Sequence, residues 1–222
     1  MEGYPVKIIS ITPVTHNVNS YKIERPSNYD FIPGQATEVA INKLNWDQQR
    51  RPFTFTGLQE WEHLEFTIKS YTDHEGVTNE LLKLNAGDEL LLHDGWGAIQ
   101  YKGPGIFIAG GAGVTPFIAI FRDLQKKGET GNNKLIFANK TEDDIIMKKE
   151  FEEMLGDNFI NILSDENKPG YHHGFITKEF LQKYMHASGE KFYICGPPPM
   201  MDAINSILKE LGVNEESVVV EI

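Results

Sequence analysis

The sequence contains only one cysteine, Cys195, among its 222 residues. A single thiol excludes an internal disulfide, and it excludes an iron–sulfur cluster, which is usually bound by four thiolates. The histidines show no spacing typical of a metal site, and the pair His172-His173 follows Pro169-Gly170 as expected of a polar loop. We therefore predict no metal site, and any redox chemistry of this chain needs an organic cofactor.

Positive charge and long apolar runs are also scarce. Lys and Arg number 21 and Asp and Glu number 32, so the formal net charge is 21 − 32 = −11. This balance excludes the basic footprint that sequence-independent nucleic-acid binding requires. The longest apolar runs, such as 106–109 and 218–220, are far shorter than the roughly 20 residues of a membrane-spanning helix. Because the N-terminus also shows no secretory signal, we predict a cytoplasmic protein with no membrane span and no nucleic-acid partner.

The period of the hydrophobic pattern changes near residue 103. Before it, apolar and polar residues alternate, as over 53–57 and 64–69, which is typical of half-buried strands. Turn formers such as Pro33-Gly34 separate these segments. This half therefore predicts a small antiparallel β-barrel or sandwich, interrupted by one short helix around 79–84.

After residue 103, fully apolar strands alternate with amphipathic helices. Continuous apolar strands suit a parallel sheet that is covered on both faces, so this half predicts a doubly wound α/β domain. The clearest helix follows the first strand and places Arg122, Lys126 and Lys127 on its polar face. The predicted strands are 106–109, 134–138, 159–163, 192–195 and 218–220. We predict two domains, residues 1–102 and residues 103–222, joined by a linker at 101–104.

A glycine-rich segment, Gly110-Gly111-Ala112-Gly113-Val114-Thr115-Pro116, lies between the first parallel strand and its helix. Glycine lets the backbone approach a ligand, Thr115 is a good helix N-cap, and Pro116 suits the first helical turn. The exposed amides and the helix dipole favour a phosphate, although a tight turn without a ligand can have the same composition. The end of the first strand of a doubly wound sheet is where such folds bind ligands, which favours the phosphate.

The segment from Tyr193 to Met200 reads as a strand, a sharp turn and the start of a helix. Three prolines after Gly196 hold the chain at the carboxyl edge of the sheet. There Cys195 is expected to face the same crevice as the glycine loop. An isolated cysteine is more often a small buried core residue, and that alternative stays open.

Two further candidate sites lie in the first half. Arg51-Pro52-Phe53-Thr54 combines a cation, an aromatic ring and a hydroxyl, as a flavin nucleotide requires. Such pairs of arginine and an aromatic residue are also ordinary cross-strand packing. Gly76-Val77-Thr78-Asn79 opens a short helix that Thr78 can cap, and its amides suit an anion or merely begin the helix.

Taken in order, these segments resemble the ferredoxin–NADP reductase superfamily over nearly the whole chain. Members carry an Arg-x-aromatic-Ser/Thr strand, a Gly-x-Ser/Thr segment, a Gly-x-Gly-x-Thr-Pro loop, a Cys-Gly-Pro-Pro turn and a late acidic residue, and this sequence has all five. The resemblance implies an FAD-binding barrel followed by an NAD(P)-binding domain. It also implies hydride transfer from NADH or NADPH to FAD, and then electron transfer to a separate acceptor, such as flavodoxin, ferredoxin or a small molecule.

The resemblance further implies roles for individual residues. For FAD they are Arg51 at the pyrophosphate, Phe53 on the isoalloxazine and Thr54 near flavin N5, with Ile68, Lys69, Ser70, Gly76, Val77 and Thr78 along the rest of the cofactor. For the nicotinamide nucleotide they are Gly111, Gly113, Thr115, Cys195, Gly196, Pro197 and Met200. The implied catalytic centre consists of Thr54, Cys195 and Glu221.

Ser164-Asp165-Glu166 follows the predicted strand 159–163, where the resemblance places the choice of nucleotide. Two carboxylates would repel a 2′-phosphate and so favour NADH, although Lys168 is close enough in sequence to offset them. The net charge argues against a broadly basic docking face for the acceptor. Two other functions stay open: a flavin reductase that releases reduced FMN or riboflavin, and a non-catalytic subunit that senses FAD or NADH.

Overall fold

The computed structural model describes residues 3–73, 75–97, 99–185 and 189–220. The strands of the first half are β1 Tyr4–Thr15, β2 Val18–Glu24, β3 Ala36–Ile41, β4 Arg51–Thr54, β5 His63–Lys69 and β6 Glu89–Trp96. They form an antiparallel sheet in the order β4-β3-β6-β1-β2-β5. A four-residue helix, α1 (Val77–Glu80), and a 3₁₀ turn over Leu81–Lys83 precede β6.

The outer strands of this sheet, β4 and β5, meet and close it into a barrel. Phe55, one residue past β4, forms an antiparallel bridge with Phe66 of β5. The Thr56 amide donates a hydrogen bond to the Glu65 carbonyl at 2.9 Å. Closure pairs the exposed edges of both strands and confirms the antiparallel barrel expected from the sequence.

Aromatic side chains fill the barrel. Phe31 stacks on Phe55 with ring centroids 4.3 Å apart, and the Phe55 ring lies 5.0 Å from that of Phe66. Tyr21 is buried in the same cluster and donates its hydroxyl hydrogen to the Leu81 carbonyl at 3.3 Å. Since burying each phenylalanine contributes roughly 1.5–3 kcal/mol, this cluster holds the closing strands and the short helical segment together.

The second half is a parallel sheet with helices between its strands. Its elements are β7 Gly105–Gly110, α2 Thr115–Lys127, β8 Lys134–Asn139, α3 Lys148–Leu155, β9 Phe159–Leu163, β10 His172–His173, α4 Lys178–Gln182, β11 Lys191–Cys195, α5 Pro198–Glu210 and β12 Val218–Val220. The strand order is β10-β9-β8-β7-β11-β12, and these neighbours pair in parallel. The order therefore reverses between β7 and β11, which confirms the doubly wound sheet.

The strand β7 is buried along its whole length, as its uninterrupted apolar sequence predicts. Ile106 and Ile108 pack in one apolar cluster with Ile204 of α5. Phe107 stacks on Tyr193 with ring centroids 4.1 Å apart. No helix within the described ranges is long and apolar enough to cross a bilayer.

The chain divides into two compact units, one formed by residues 1–100 and 115–123, the other by 101–114 and 124–222. Within the second unit the Tyr193 hydroxyl accepts a hydrogen bond from the Lys102 amide at 2.8 Å and donates one to the Gly103 carbonyl at 2.7 Å. Burial raises the pKa of Tyr193 to about 12. These bonds fix the segment predicted as the linker, and the domain boundary at residue 102 stays a prediction.

The polar face of β5 is buried, which contradicts the half-buried strand expected from the alternation over 64–69. Glu65 and Thr67 are each only 4% exposed. The Thr56 hydroxyl donates to the Glu65 carboxylate at 3.0 Å, and the Thr67 hydroxyl donates to that of Thr56 at 3.2 Å. The polar side chains of this face bond to one another instead of to solvent.

Arg122 completes this buried polar row. It belongs to the part of α2 that is included in the first unit. Its guanidinium lies 2.6 Å from the Glu65 carboxylate, donates to the Thr56 carbonyl at 2.7 Å, and lies 5.3 Å from the ring of Trp61. The sequence places Arg122 on the polar face of its helix, and the structure shows that this arginine is largely buried there, because a buried carboxylate needs a paired cation.

Three local predictions were also wrong. Val114 is the N-cap of α2, without a side-chain cap, because a 3₁₀ turn over Gly111–Val114 already winds the chain into the helix before Thr115. Gly76 is the N-cap of α1, so Thr78 lies inside that helix. The pair His172-His173 forms β10 instead of a loop, because its backbone pairs with β9.

Candidate active site

The loop from β7 to α2 contacts the turn after β11 at the point where the strand order reverses. Gly113 packs so closely that an added Cβ would lie 2.3 Å from the Cys195 carbonyl oxygen. A Cβ on Gly196 would lie 3.1 Å from the Gly110 amide nitrogen. The structure therefore brings the two predicted nucleotide segments together, and glycine is what permits their approach.

The glycine loop has one packed side and one open side. A Cβ on Gly110 would lie 2.6 Å from the Met200 sulfur and 3.0 Å from a side-chain carbon of Pro197. Gly111 has a left-handed φ of +50°, and nothing lies within 4 Å of an added Cβ there. Bare backbone that is supported from behind and open in front suits a phosphate group.

Cys195 ends β11 beside this loop and is 7% exposed. Its position agrees with the expected place at the carboxyl edge, and its burial agrees with the alternative of a small core residue. A largely shielded thiol suits packing against a ligand ring more than nucleophilic chemistry.

Asn139, the last residue of β8, was missed by the sequence interpretation. It is 8% exposed, and neither its amide nitrogen nor its amide oxygen has a hydrogen-bond partner among the residues the structure describes. Buried polar atoms are normally paired, so this carboxamide suits a polar ligand at the carboxyl edge. The available signal was a polar residue that closes the apolar run 135–138.

Asp165 lies at the same edge of the sheet, just past β9 and two strands from β7. Its side chain is exposed and accepts a hydrogen bond from the Ser164 hydroxyl at 2.6 Å. Lys168, which the sequence offered as an offsetting cation, is paired with the Glu142 carboxylate. That lysine is therefore already engaged.

Glu142 gathers three donors at this edge. Lys148 donates at 2.5 Å, the Tyr171 hydroxyl donates at 2.6 Å, and Lys168 donates as well. These bonds, the one from Lys148 foremost, lower the pKa of Glu142 to about 2, and the bond to Glu142 raises the pKa of Lys168. The Glu142 amide also donates to the Glu166 carboxylate at 2.8 Å. The result is a cluster with two carboxylates and two ammonium groups.

The predicted FAD residues of the first unit lie on neighbouring strands. Arg51, Phe53 and Thr54 belong to β4, and barrel closure brings the end of β4 against β5, which carries Ile68 and Lys69. The Phe53 ring is half-buried, whereas Thr54 and Ile68 are buried. Closure of the barrel therefore brings these residues together where β4 meets β5.

Arg51 is exposed, and its guanidinium bonds only to the Arg50 carbonyl, at 2.7 Å, among the described residues. The neighbouring Arg50 pairs with Glu38 at 3.5 Å. An arginine without a carboxylate partner suits an anion such as a pyrophosphate.

Ser70, directly after β5, indicates whether the residues of the barrel fit FAD. It is 4% exposed, and its hydroxyl has no partner among the described residues. Together with Lys69 and Tyr71 it lines a cleft of about 430 Å³. Because an unpaired buried hydroxyl is costly, a ligand group with a complementary polar atom fits this position.

Gly76 caps α1, which begins at Val77, and Val77 is buried in the barrel core. The Glu80 amide donates to the Gly76 carbonyl at 2.9 Å, so the amides of Val77 and Thr78 are those that a helix start leaves without intrahelical partners. Glu221 lies outside the described residues. Its grouping with Thr54 of the first unit and Cys195 of the second stays a prediction.

Comparison with known proteins matches residues 107–206 to the family described as oxidoreductase NAD-binding domain. NADH-cytochrome b5 reductase 1 of Cryptococcus neoformans is 29% identical over 237 residues, which cover 96% of this chain and 80% of that protein. The enzyme of the same name from Aspergillus terreus is 30% identical over 224 residues, covering 90% of this chain and 75% of its own. The chain belongs to the ferredoxin–NADP reductase superfamily.

The fold of a solved member agrees with this membership. A ferredoxin NADP+ reductase from Neisseria gonorrhoeae with bound FAD and NADP has a TM-score of 0.84 at 18% identity, over 98% of this chain and 97% of that one. As a member of the ferredoxin–NADP reductase superfamily, the chain is an NAD(P)H-dependent flavoprotein reductase, and its cofactors are FAD and NAD(P)H. The family inferred from five ordered sequence segments is thereby confirmed.

Proposed function

We propose that this chain takes hydride from NADH onto FAD and passes the electrons to a separate redox acceptor. The observation that carries the proposal is the contact between the glycine loop and the Cys195-Gly196 turn. It leaves bare backbone at the switch point of a parallel sheet, where dinucleotides bind. Family membership supports the same reaction class.

In the barrel, the residues of this chain bind and orient the FAD and do not exchange protons with it. FAD bound there would supply a hydride acceptor that can also release electrons one at a time. Arg51 pairs with the pyrophosphate, Phe53 offers its half-buried ring face, and the Thr54 hydroxyl orients the reactive edge of the flavin. Ser70 gains the partner that its buried hydroxyl lacks, and the gain in rate comes mainly from positioning.

On the parallel sheet, the backbone of Gly111 and Gly113 receives the nucleotide phosphates, and Thr115 lies in the first turn of the helix behind them. Cys195 and Gly196 pack against the nicotinamide, while Pro197 and Met200 hold the turn in place. Exclusion of water by these apolar contacts strengthens the polar interactions that hold the nucleotide.

Two features favour NADH over NADPH. The exposed Asp165 carboxylate repels a 2′-phosphate and can accept a hydrogen bond from a ribose hydroxyl. Lys168 is held by Glu142 and does not offset that repulsion.

The acceptor is a separate one-electron redox protein. Two relatives are named for cytochrome b5, so a small haem protein is the first acceptor to test. With a net charge of −11, this chain has no bulk attraction for an acidic partner, so the rate of electron transfer to such a partner should not fall as salt is added.

The test is anaerobic stopped-flow bleaching of the FAD-loaded enzyme with NADH and NADPH side by side. We expect NADH to bleach the flavin at least about tenfold faster, since a single repelled phosphate costs on the order of 1.4 kcal/mol or more. Equal or faster bleaching by NADPH would contradict the preference for NADH. No bleaching by either would favour the non-catalytic alternative. Loss of the yellow colour on gel filtration, with turnover of added FMN or riboflavin, would favour the flavin reductase.

The Thr54→Ala variant tests the role of that hydroxyl. Bleaching by NADH should slow by roughly tenfold to a hundredfold, the size expected for loss of one hydrogen bond worth about 1.5–3 kcal/mol, while the flavin stays bound. The exposed Thr12 of β1 offers a matched control, since Thr12→Ala should leave the rate unchanged. Release of flavin from Thr54→Ala would show that Thr54 binds the cofactor and does not act on the transfer step.

A further inference from the structure

Two lysines at the carboxyl edge of the parallel sheet converge on one carboxylate. Lys168 is bonded to Glu142 and lies 3.9 Å from Glu166. Lys148 lies 2.5 Å from Glu142 and 3.8 Å from Glu152. Glu142 is therefore the shared partner of both cations, although it is 26 residues away from Lys168 in the sequence.

We propose that Glu142 is a positioning residue for nucleotide choice, which excludes NADPH by holding Lys168 away from the 2′-phosphate position beside Asp165. The inference rests on the proposed NADH reaction. It assigns part of the discrimination to a residue in a different loop from Asp165.

The location of the cluster supports this role. Residues 142–171 lie inside the span that matches the NAD-binding domain family. Glu142 follows the carboxyl end of β8, and residues 165–171 follow that of β9, at the edge where open α/β sheets bind their ligands. The Tyr171 hydroxyl and the Glu142 amide add bonds at 2.6 Å and 2.8 Å, which hold the carboxylate in one orientation.

The charges near Asp165 make Lys168 the residue that determines whether a 2′-phosphate is bound. The carbonyl of Lys140 accepts a hydrogen bond from the Asp165 amide at 2.9 Å, and the Lys140 side chain is exposed. The exposed Asp165 carboxylate keeps its repulsion of a 2′-phosphate while Lys168 is held by Glu142. A released Lys168 would add one positive charge three residues past Asp165, and charge-assisted bonds to phosphate are strong.

The experiment replaces Glu142 by glutamine, which keeps the shape of the side chain and removes its charge. The FAD-loaded enzyme is titrated by calorimetry with 2′,5′-ADP, which carries the 2′-phosphate, and with 5′-AMP, which lacks it. In E142Q we expect the affinity for 2′,5′-ADP to rise about fivefold to tenfold, because one freed ammonium gains a charge-assisted bond. The affinity for 5′-AMP should stay the same, and the NADPH to NADH bleaching ratio should rise in parallel.

Two further variants identify the cation. The double variant E142Q/K168A should return the 2′,5′-ADP affinity to the wild-type value. K168A alone should leave it unchanged, because Lys168 is already engaged in the wild type. E210Q is the matched control, since Glu210 pairs with Lys178 at 3.1 Å on the surface, and that variant should not change either affinity.

Three results would overturn the inference. One is an unchanged affinity ratio in an E142Q protein that melts like the wild type. Another is a gain in E142Q that persists after K168A is added. The third is weaker 2′,5′-ADP binding by K168A alone, a measurement that also decides the matter if E142Q does not fold. If wild-type enzyme bound no 5′-AMP at all, the proposed function itself would fail, whereas normal 5′-AMP binding confines the failure to Glu142.

Discussion

Strands β5 and β7 are both buried on two faces, but with opposite kinds of residue. Every residue of β7 is apolar or glycine, and apolar side chains such as Ile204 cover it. One face of β5 carries Glu65 and Thr67 and is covered by an arginine. Burial of β7 follows from its own sequence, whereas burial of β5 depends on a partner 57 residues away. Alternation along a strand therefore reports the chemistry of its two faces and not their exposure to solvent.

The largest effect that would test this comparison is removal of the partner. Arg122→Met leaves the Glu65 carboxylate buried without a cation, and the free energy of unfolding should fall by about 3–5 kcal/mol. Urea unfolding followed by circular dichroism measures this loss. The Arg50–Glu38 pair, 3.5 Å apart and partly exposed on the same barrel, is the control, and Arg50→Met should cost at most about 1 kcal/mol.

The double variant R122M/E65M distinguishes charge from packing. With both charges replaced by apolar side chains, most of the lost stability should return, since apolar replacements of buried pairs are often neutral. If the double variant were as unstable as R122M, the polar face of β5 would depend on shape and not on the ion pair.

The second test concerns close backbone approach at the end of β7. Gly113→Ala places a methyl group 2.3 Å from a backbone oxygen, so we expect a loss of about 3 kcal/mol in unfolding free energy and of NADH-dependent bleaching. Gly111→Ala is the matched control, because it meets no atom and only strains a left-handed backbone by about 1 kcal/mol. Equal costs for both variants would show that the contact with Cys195 is not what requires glycine.

The third test concerns the hydroxyl of Tyr193, a polar group on the buried strand β11. Tyr193→Phe removes the bonds to Lys102 and Gly103 and should cost about 1–2 kcal/mol at neutral pH. The folded pKa of Tyr193 is raised to about 12, so above pH 10 the unfolded tyrosine loses its proton while the folded one keeps it. Wild-type stability from this group should therefore fall between pH 10 and 12, and the gap to Tyr193→Phe should narrow over that window. A constant gap in unfolding free energy would contradict the raised pKa.

The smallest expected effect is at Ser70. Without FAD, Ser70→Ala should be neutral or more stable by up to about 1 kcal/mol, because it removes an unpaired buried hydroxyl. With FAD, the same change should weaken cofactor binding about fivefold, the value of one neutral hydrogen bond. Melting temperatures with and without FAD give both numbers. A loss of stability without FAD would show that Ser70 has a partner inside the protein.

Much of the fold follows from local pattern. The runs 106–109, 134–138 and 159–163 are strands within one residue of their predicted ends, because a strand buried on both faces is apolar in every register. The helix caps at Thr78 and Thr115 were mispredicted for a local reason of the same kind. A 3₁₀ turn had already begun the helix before Thr115, whereas α1 starts at Val77, directly after the extended Gly76, and composition alone places neither start.

The site was less predictable where it depends on contacts distant in sequence. The glycine loop and the Cys195 turn are recognisable from the sequence because their backbone conformations require glycine and proline. Glu142 has no such mark, since its role depends on Lys168 and Tyr171, which only the sheet order brings near. Asn139 likewise looks like the polar end of a strand until its two unpaired atoms are seen.

Residues 115–123 belong to the first unit, so a gene fragment that encodes this unit alone must include them. A fragment cut at the segment 101–104 would contain every barrel strand but would lack Arg122. Its Glu65 would lose the only guanidinium that bonds to it within the described residues. Such a fragment should be insoluble or bind FAD poorly, whereas one that ends after residue 127 retains the helix. The smallest portable piece of this flavoprotein is therefore longer than its barrel.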